Sequence, residues 1–205
     1  MATPSSGAIS LNEMHVEVGG SSGSECSIND ADIRLIADKS SGATASWNDY
    51  YDRAADFTTV VTVGGTNTSS SDGYVTTTFR FRGYLNNSPS GASNVGSLSV
   101  SNDADYFSNN GFTDIAVNGT QGQTTSVTRV RASAASIANN DTAFKSVVIG
   151  STTYNRTDAT YETSSGRTQW YWSNGVTTVP TDDTSAFAPF AAAGSTTTVV
   201  FRRSR

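Results

Sequence analysis

The chain has 205 residues, of which 36% are hydrophobic and only 15% charged, with a formal net charge of -5. That length can bury a sizeable core and fits one large domain or two small ones. The acidic balance, with no basic stripe before Arg202, Arg203 and Arg205, argues against a dedicated nucleic-acid binder. An aromatic share of 10% and apolar runs that recur to the last residues argue against disorder over the whole chain.

The charged share falls well below the roughly 25% of an ordinary soluble domain. Neutral polar residues take its place: 31 Ser, 29 Thr, 15 Asn and 18 Gly make up nearly half the chain. Such a surface carries hydrogen-bonding groups without strong hydration, which suits a protein packed against many copies of itself. Thr also suits strands, because its branched Cβ packs on a pleated sheet. The single cysteine, Cys26, cannot form an intrachain disulfide, so an oxidising compartment is not implied. Residues 1–20 contain Gly7, Glu13, His15, Glu17, Gly19 and Gly20 and no apolar signal-peptide core. No window approaches a transmembrane span, so no membrane insertion is expected.

In chain order, the first 56 residues stand apart. Three segments read Ser, apolar, Asn, acid: Ser10-Leu11-Asn12-Glu13, Ser27-Ile28-Asn29-Asp30 and Ser46-Trp47-Asn48-Asp49. Each has the chemistry of a helix start. The serine hydroxyl can accept from a backbone N–H two or three residues on, and the acid can reach back to the serine N–H. The runs that follow, Met14 to Val18, Ala31 to Ala37 and Tyr50 to Ala55, are each long enough for one or two turns. Gly19-Gly20 and Ser40-Ser41-Gly42 stop the first two. Helices this short are marginal alone, so their apolar residues need a partner surface. Two accounts are open: packing within the same chain, or an intermolecular anchor formed by Leu11, Met14, Ile28, Ile33, Trp47 and Tyr50.

From Phe57 onward the period changes to two. Phe57–Val63 reads as a strand ended by Gly64-Gly65. Tyr74–Leu85 alternates, with Val75, Thr77, Phe79 and Phe81 on one side and Thr76, Thr78, Arg80 and Arg82 on the other. Further strands are predicted over 96–101, 113–117, 126–131, 144–149, 152–160, 168–172 and 196–203. Turn signals stand at Asp72-Gly73, Asn110-Gly111, Asn118-Gly119 and Asn174-Gly175. Ala132–Asn140 reads as a short helix or crossover. Pro180–Gly194 reads as a long loop whose Phe187, Pro189 and Phe190 plug one end of the fold. The expectation is a mainly β protein: a short N-terminal helical segment, residues 1–56, followed by an antiparallel β-sandwich, residues 57–205.

Few residue sets could carry chemistry. His15 is the only histidine, which removes Ser/His/Asp, Cys/His and multi-His arrangements together. Cys26 reads as a small packing residue. No spacing among the 18 acids singles out a glycosidase pair. Asn102-Asp103-Ala104-Asp105 and Asp182-Asp183 offer too few oxygens for Ca²⁺ and read as turn-forming acids. No enzyme activity, cofactor or metal is therefore expected. Trp170-Tyr171-Trp172 is the densest aromatic run. On a strand the two tryptophans share one face and Tyr171 takes the other. One face is then core and the other a candidate glycan contact, which Tyr154 and Tyr161 could extend. Core burial is the commoner fate of such rings.

The N-terminal quarter resembles a pattern in virion proteins of tailed bacteriophages, especially those of marine bacteria and cyanobacteria. The residues that carry the resemblance are Ser6-Gly7-Ala8-Ile9-Ser10-Leu11, Gly19-Gly20, Ser27-Ile28-Asn29-Asp30-Ala31-Asp32-Ile33-Arg34, and Ser41-Gly42 through Tyr50-Tyr51. The pattern normally ends in Tyr-Gly, where this chain has Tyr51-Asp52-Arg53. The resemblance implies a structural, tail- or fibre-associated role in particle assembly and host attachment. Its partners would be other virion proteins, further copies of the chain (a trimer preferred) and a host surface glycan. The alternatives are a capsid decoration or neck protein, and a carbohydrate-binding module or depolymerase. Assembly in the host cytoplasm and release by lysis would reconcile an extracellular-type composition with the lack of disulfides.

Overall fold

The computed structural model describes residues 3–4, 6–37, 39, 42–50, 56–65, 67–71, 76–86, 94–100, 111–134, 137–140, 143–164, 166–182 and 185–202, without the side chains of 35, 67–71 and 76–77. Within the first fifty residues, all three Ser-x-Asn-acid segments close the same ring. The Ser10 amide donates to the Glu13 carboxylate at 2.6 Å, the Ser27 amide to Asp30 at 2.8 Å and the Ser46 amide to Asp49 at 2.7 Å. At Ser10 the reciprocal bond is present too, completing a capping box at the start of α1 (Leu11–Glu17). The second ring forms a turn that leads into α2 (Ala31–Ile36), and the third opens a 3-10 helix, Trp47–Tyr50. Gly19, at φ +91°, ends α1 in a left-handed conformation.

These short elements bury Met14, Val18, Ile33, Ile36, Ala37 and Tyr50 against one another, with Ile9, Leu11, Cys26, Ile28 and Ala45 at the margin. Arg34 is buried in the same cluster, where its guanidinium donates to the Ala43 carbonyl and to Asn29. The acids start each turn, and the apolar residues one turn later meet in the middle. The run predicted over Tyr50–Ala55 continues into 51–55, which lie outside the described residues.

The rest is β-structure. The strands are β1 (Asp56–Thr62), β2 (Asn67–Ser71), β3 (Thr76–Leu85), β4 (Ser97–Leu98), β5 (Phe112–Thr120), β6 (Thr125–Ala132), β7 (Ser146–Ile149), β8 (Thr152–Asn155), β9 (Thr160–Ser164), β10 (Arg167–Val176) and β11 (Thr196–Arg202). They form a five-stranded sheet, ordered β4-β1-β11-β7-β8, and a six-stranded sheet, ordered β2-β3-β5-β6-β10-β9. All named pairings are antiparallel. The arrangement is that of a sandwich, and the inward residues of both sheets share one core. Phe57, Val61, Val147, Ile149, Val199 and Phe201 come from the first sheet, and Phe112, Ile115, Val117, Val130, Trp170 and Trp172 from the second. Phe112 and Phe201 stack across the sheets with centroids 4.8 Å apart, and Phe144 meets Trp170 edge-on at 4.9 Å.

Several expectations need correction. Residues 152–160 are two strands in different sheets, not one. The 3-10 turn Arg156–Asp158 breaks the run, and Arg156 anchors it by donating to the carbonyls of Phe144 and Asn139. Asn118-Gly119 lies inside β5, and the reversal comes at Gln121-Gly122, where Gly122 has φ +81°. Asn174-Gly175 marks a ladder irregularity within β10 rather than a turn. β2, made only of Asn, Thr and Ser, had no apolar signal to reveal it. Asp72-Gly73, Asn110, Asn102–Asp105 and Asp183 lie outside the described residues. In Ala132–Asn140 the described residues form a crossover between the sheets, with no helix among them. Phe187 and Phe190 do plug the core, joined by reciprocal backbone bonds of 3.1 and 3.0 Å.

The alternation of β3 holds, with its polar side inward. Arg82 pairs with Val117 and Arg80 with Gly119, so both arginines share the face that Val117 turns to the core. Phe81 and Leu85 lie on the opposite face, in a small cluster with Ala116 and Val95. The reason is the plug loop. Arg82 donates to the carbonyls of Ser185 and Asp182, both at 2.8 Å, and Arg80 donates to that of Thr181.

Candidate functional site

Of the six apolar residues considered for an intermolecular anchor, Met14, Ile33 and Tyr50 are fully buried in the segment's own cluster. In the folded chain they are not available to a partner, and they supply the packing within the same chain. Leu11 and Ile28 are partly buried at its margin. Trp47 is the exception, 51% exposed at the start of the third turn. A capped turn fixes the Trp47 backbone while leaving the indole outside.

The aromatic run divides as alternation requires. Trp170 and Trp172 are 0% and 4% exposed and lie in the core, so neither offers its ring to a sugar. Their indole N–H groups are spent inside: Trp170 donates to Asn139 at 3.0 Å and Trp172 to the Asn155 carbonyl at 2.7 Å. Tyr154 and Tyr161 pack on these tryptophans at 5.3 and 5.7 Å. Only Tyr171 points outward.

Around Tyr171 the outer face of the six-stranded sheet carries a continuous polar ribbon over four strands. Tyr171 donates to Glu162 at 2.7 Å, and Gln169 donates to the other oxygen of Glu162 at 2.6 Å. Arg131 donates twice to the Gln169 carbonyl oxygen, at 3.1 and 3.0 Å. Arg131 and Arg129 both reach the Asp114 carboxylate, at 3.0 and 2.7 Å. The register explains the ribbon: Asp114 faces Arg131, Arg131 faces Gln169, and Gln169 faces Glu162. Around the buried Asp114, the members present directional hydrogen-bonding groups held by their neighbours.

The charges respond accordingly. Burial raises the Asp114 carboxyl above its ordinary value, against the pull of Arg129 and Arg131. The Tyr171 hydroxyl, and then the Gln169 amide, hold Glu162 below the usual carboxylate range. The same bond raises the Tyr171 phenol. This ribbon was not read from the sequence. The signal was the polar half of each alternating strand, but register alone decides which polar residues meet.

Elsewhere, Cys26 is a free, half-buried thiol near the Leu11 carbonyl, and His15 contacts the Ser24 hydroxyl at 2.7 Å. Among the described residues no group of three or more His, Cys, Asp or Glu could hold a metal ion. No described helix is long and apolar enough to cross a membrane. No protein-family model, curated protein or solved structure matches the chain.

Proposed function

We propose that the chain is a non-enzymatic structural component of a tailed-phage particle, associated with the tail or its fibres. Residues 1–56 dock it to other virion proteins, and the β-sandwich faces outward or meets further copies of itself. The observation that carries this proposal is the threefold Ser-x-Asn-acid segment. The residues that resemble phage virion proteins are the ones that close the three capped turns around a small private core, and the third turn leaves Trp47 outside. A segment whose apolar residues meet in a cluster of their own, and which offers one large exposed ring, is suited to docking. The polar ribbon around Tyr171 supports the attachment half of the proposal, because planar groups fixed beside an aromatic ring suit a host surface glycan.

Immunogold electron microscopy of intact particles, with an antibody against residues 57–205, tests the location. Gold on the tail or its fibres supports the proposal, and gold over the head moves the role to capsid decoration. Absence of the chain from purified virions, read by mass spectrometry, overturns both. The W47S variant tests the docking residue: it should keep the parental melt and drop out of the particle.

A further inference from the structure

The side of the sandwich where β8 and β10 approach each other opens into a shallow cleft of about 350 Å³. One wall is Thr152 and Tyr154 from the first sheet, and the opposite wall is Ser173 and Asn174 from the second. The crossover to β11 closes the end with Thr177, Ala188 and Pro189. That volume falls within the roughly 300–1,000 Å³ of small-molecule sites. Among the described residues that line it, none carries an ionisable acid or base other than the Tyr154 phenol.

The interior behind this cleft is polar where a sandwich core would be apolar. Ser126 and Thr128 of β6 point inward at 3% and 0% exposure. The Thr128 hydroxyl lies 3.1 Å from both the Tyr154 hydroxyl and the Asn174 carbonyl oxygen, and the Asn174 amide donates to Ser126 at 3.0 Å. Buried polar groups are costly unless bonded, and these satisfy one another. The network fixes the Tyr154 ring, backed by Trp172 at 5.3 Å, and the Asn174 side chain at the cleft wall. At the same place the β10 ladder slips between Ser173 and Val176, and Gly175 takes φ +65°. Such irregularities release residues from pairing and re-aim them, often beside binding sites.

We infer that this cleft binds a neutral pyranoside. Its C–H face lies against Tyr154, Ala188 and Pro189, and its hydroxyls meet the Thr152 hydroxyl, the Ser173 backbone and the edge of Asn174. The described lining, uncharged, favours a neutral sugar over a uronic acid or amino sugar. The inference stands on the geometry of the cleft and holds whether or not the chain belongs to a particle.

The test is a ¹⁵N–¹H NMR titration of the full chain with the methyl α-pyranosides of glucose, galactose, mannose and N-acetylglucosamine. Glucuronate and glucosamine serve as charged comparators. Saturable shifts are expected for at least one neutral sugar, centred on the amides of Thr152, Tyr154, Asn174 and Ala188. The T152R variant, at an exposed position that fills the cleft, should retain the parental melt and weaken binding by about tenfold or more. S173A, whose hydroxyl lies on the outer face of β10 with Tyr171, should leave binding unchanged. The inference is overturned if none of the four neutral sugars gives saturable shifts, or if only the charged sugars do. Shifts centred on Glu162, Gln169 and Tyr171, or binding that T152R leaves intact, also overturn it.

Discussion

The Asp114 carboxylate sits 2.7 Å from the Arg129 guanidinium on the outer face of a sheet, yet it is only 1% exposed. Its folded pKa is raised by burial in spite of Arg129, Arg131 and the more distant Arg167. The folded chain therefore holds this proton more tightly than the unfolded chain does. The stability it contributes is fully present below the ordinary value of 3.8 and is lost as pH rises through the raised folded value. Asp114→Asn should remove that part of the pH dependence and keep an acceptor for both arginines. Asp114→Ala should cost about 1–3 kcal/mol at neutral pH, because the arginines lose their acceptor. Urea melts of the three proteins across the acidic range read both effects. A parental slope equal to that of Asp114→Asn would show that Asp114 does not titrate this way.

The exposed caps run in the opposite direction. The Ser10 amide lowers the Glu13 pKa and the Ser46 amide lowers that of Asp49. Stability from these groups is present above the ordinary carboxylate range and lost as pH falls through the lowered folded values. Acidification should thus loosen the N-terminal segment, read as faster exchange of the Val18 amide, which bonds to the Met14 carbonyl at 3.1 Å. The E13Q/D49N double variant should exchange faster at neutral pH and lose most of the acid response.

Neighbouring positions in β10 should behave oppositely. Trp170→Ala opens a cavity between Phe144 and Tyr161 and should cost about 3–5 kcal/mol. Tyr171→Phe removes only the hydroxyl that bonds Glu162 on the outer face, so its thermal melt should match the parent's. Equal destabilisation by both changes would mean that the ribbon carries stability rather than surface chemistry.

Local chemistry was legible wherever one residue type decides the outcome. The capped turns at Ser10, Ser27 and Ser46 follow from side chains three residues apart, and the plug of Phe187 and Phe190 follows from an apolar pair in a long loop. Pairing was not legible, because strand register is a tertiary choice. Nothing at Arg131 says that it meets Asp114 and Gln169, and nothing at Thr128 says that it meets Tyr154. The inward face of β3 was hidden for a related reason. Alternation shows that Phe81 and Arg82 lie on opposite sides, but not that the loop carbonyls after Pro180 make the arginine side the buried one. The split of residues 152–160 turns on Arg156, whose anchoring carbonyls lie 12 and 17 residues away.

Arg82 gives the sharpest test of that inverted strand. It is fully buried, and its guanidinium donates to the carbonyls of Phe81, Asp182 and Ser185 at 2.7, 2.8 and 2.8 Å. Arg82→Met keeps an unbranched chain of similar reach and deletes every donor. Each carbonyl left without a partner costs about 1–3 kcal/mol, less where the loop can turn it to water. A total loss of about 3 kcal/mol is therefore expected, with the plug loop as the part that gives way. Limited proteolysis should then cut the variant within 180–190 under conditions that leave the parent whole. Arg82→Lys should lie between the two, because one ammonium cannot reach three carbonyls arranged for a planar fork. A variant that loses stability with the loop still protected would place the arginine's contribution in the sheet itself, and not in fastening the loop over the core.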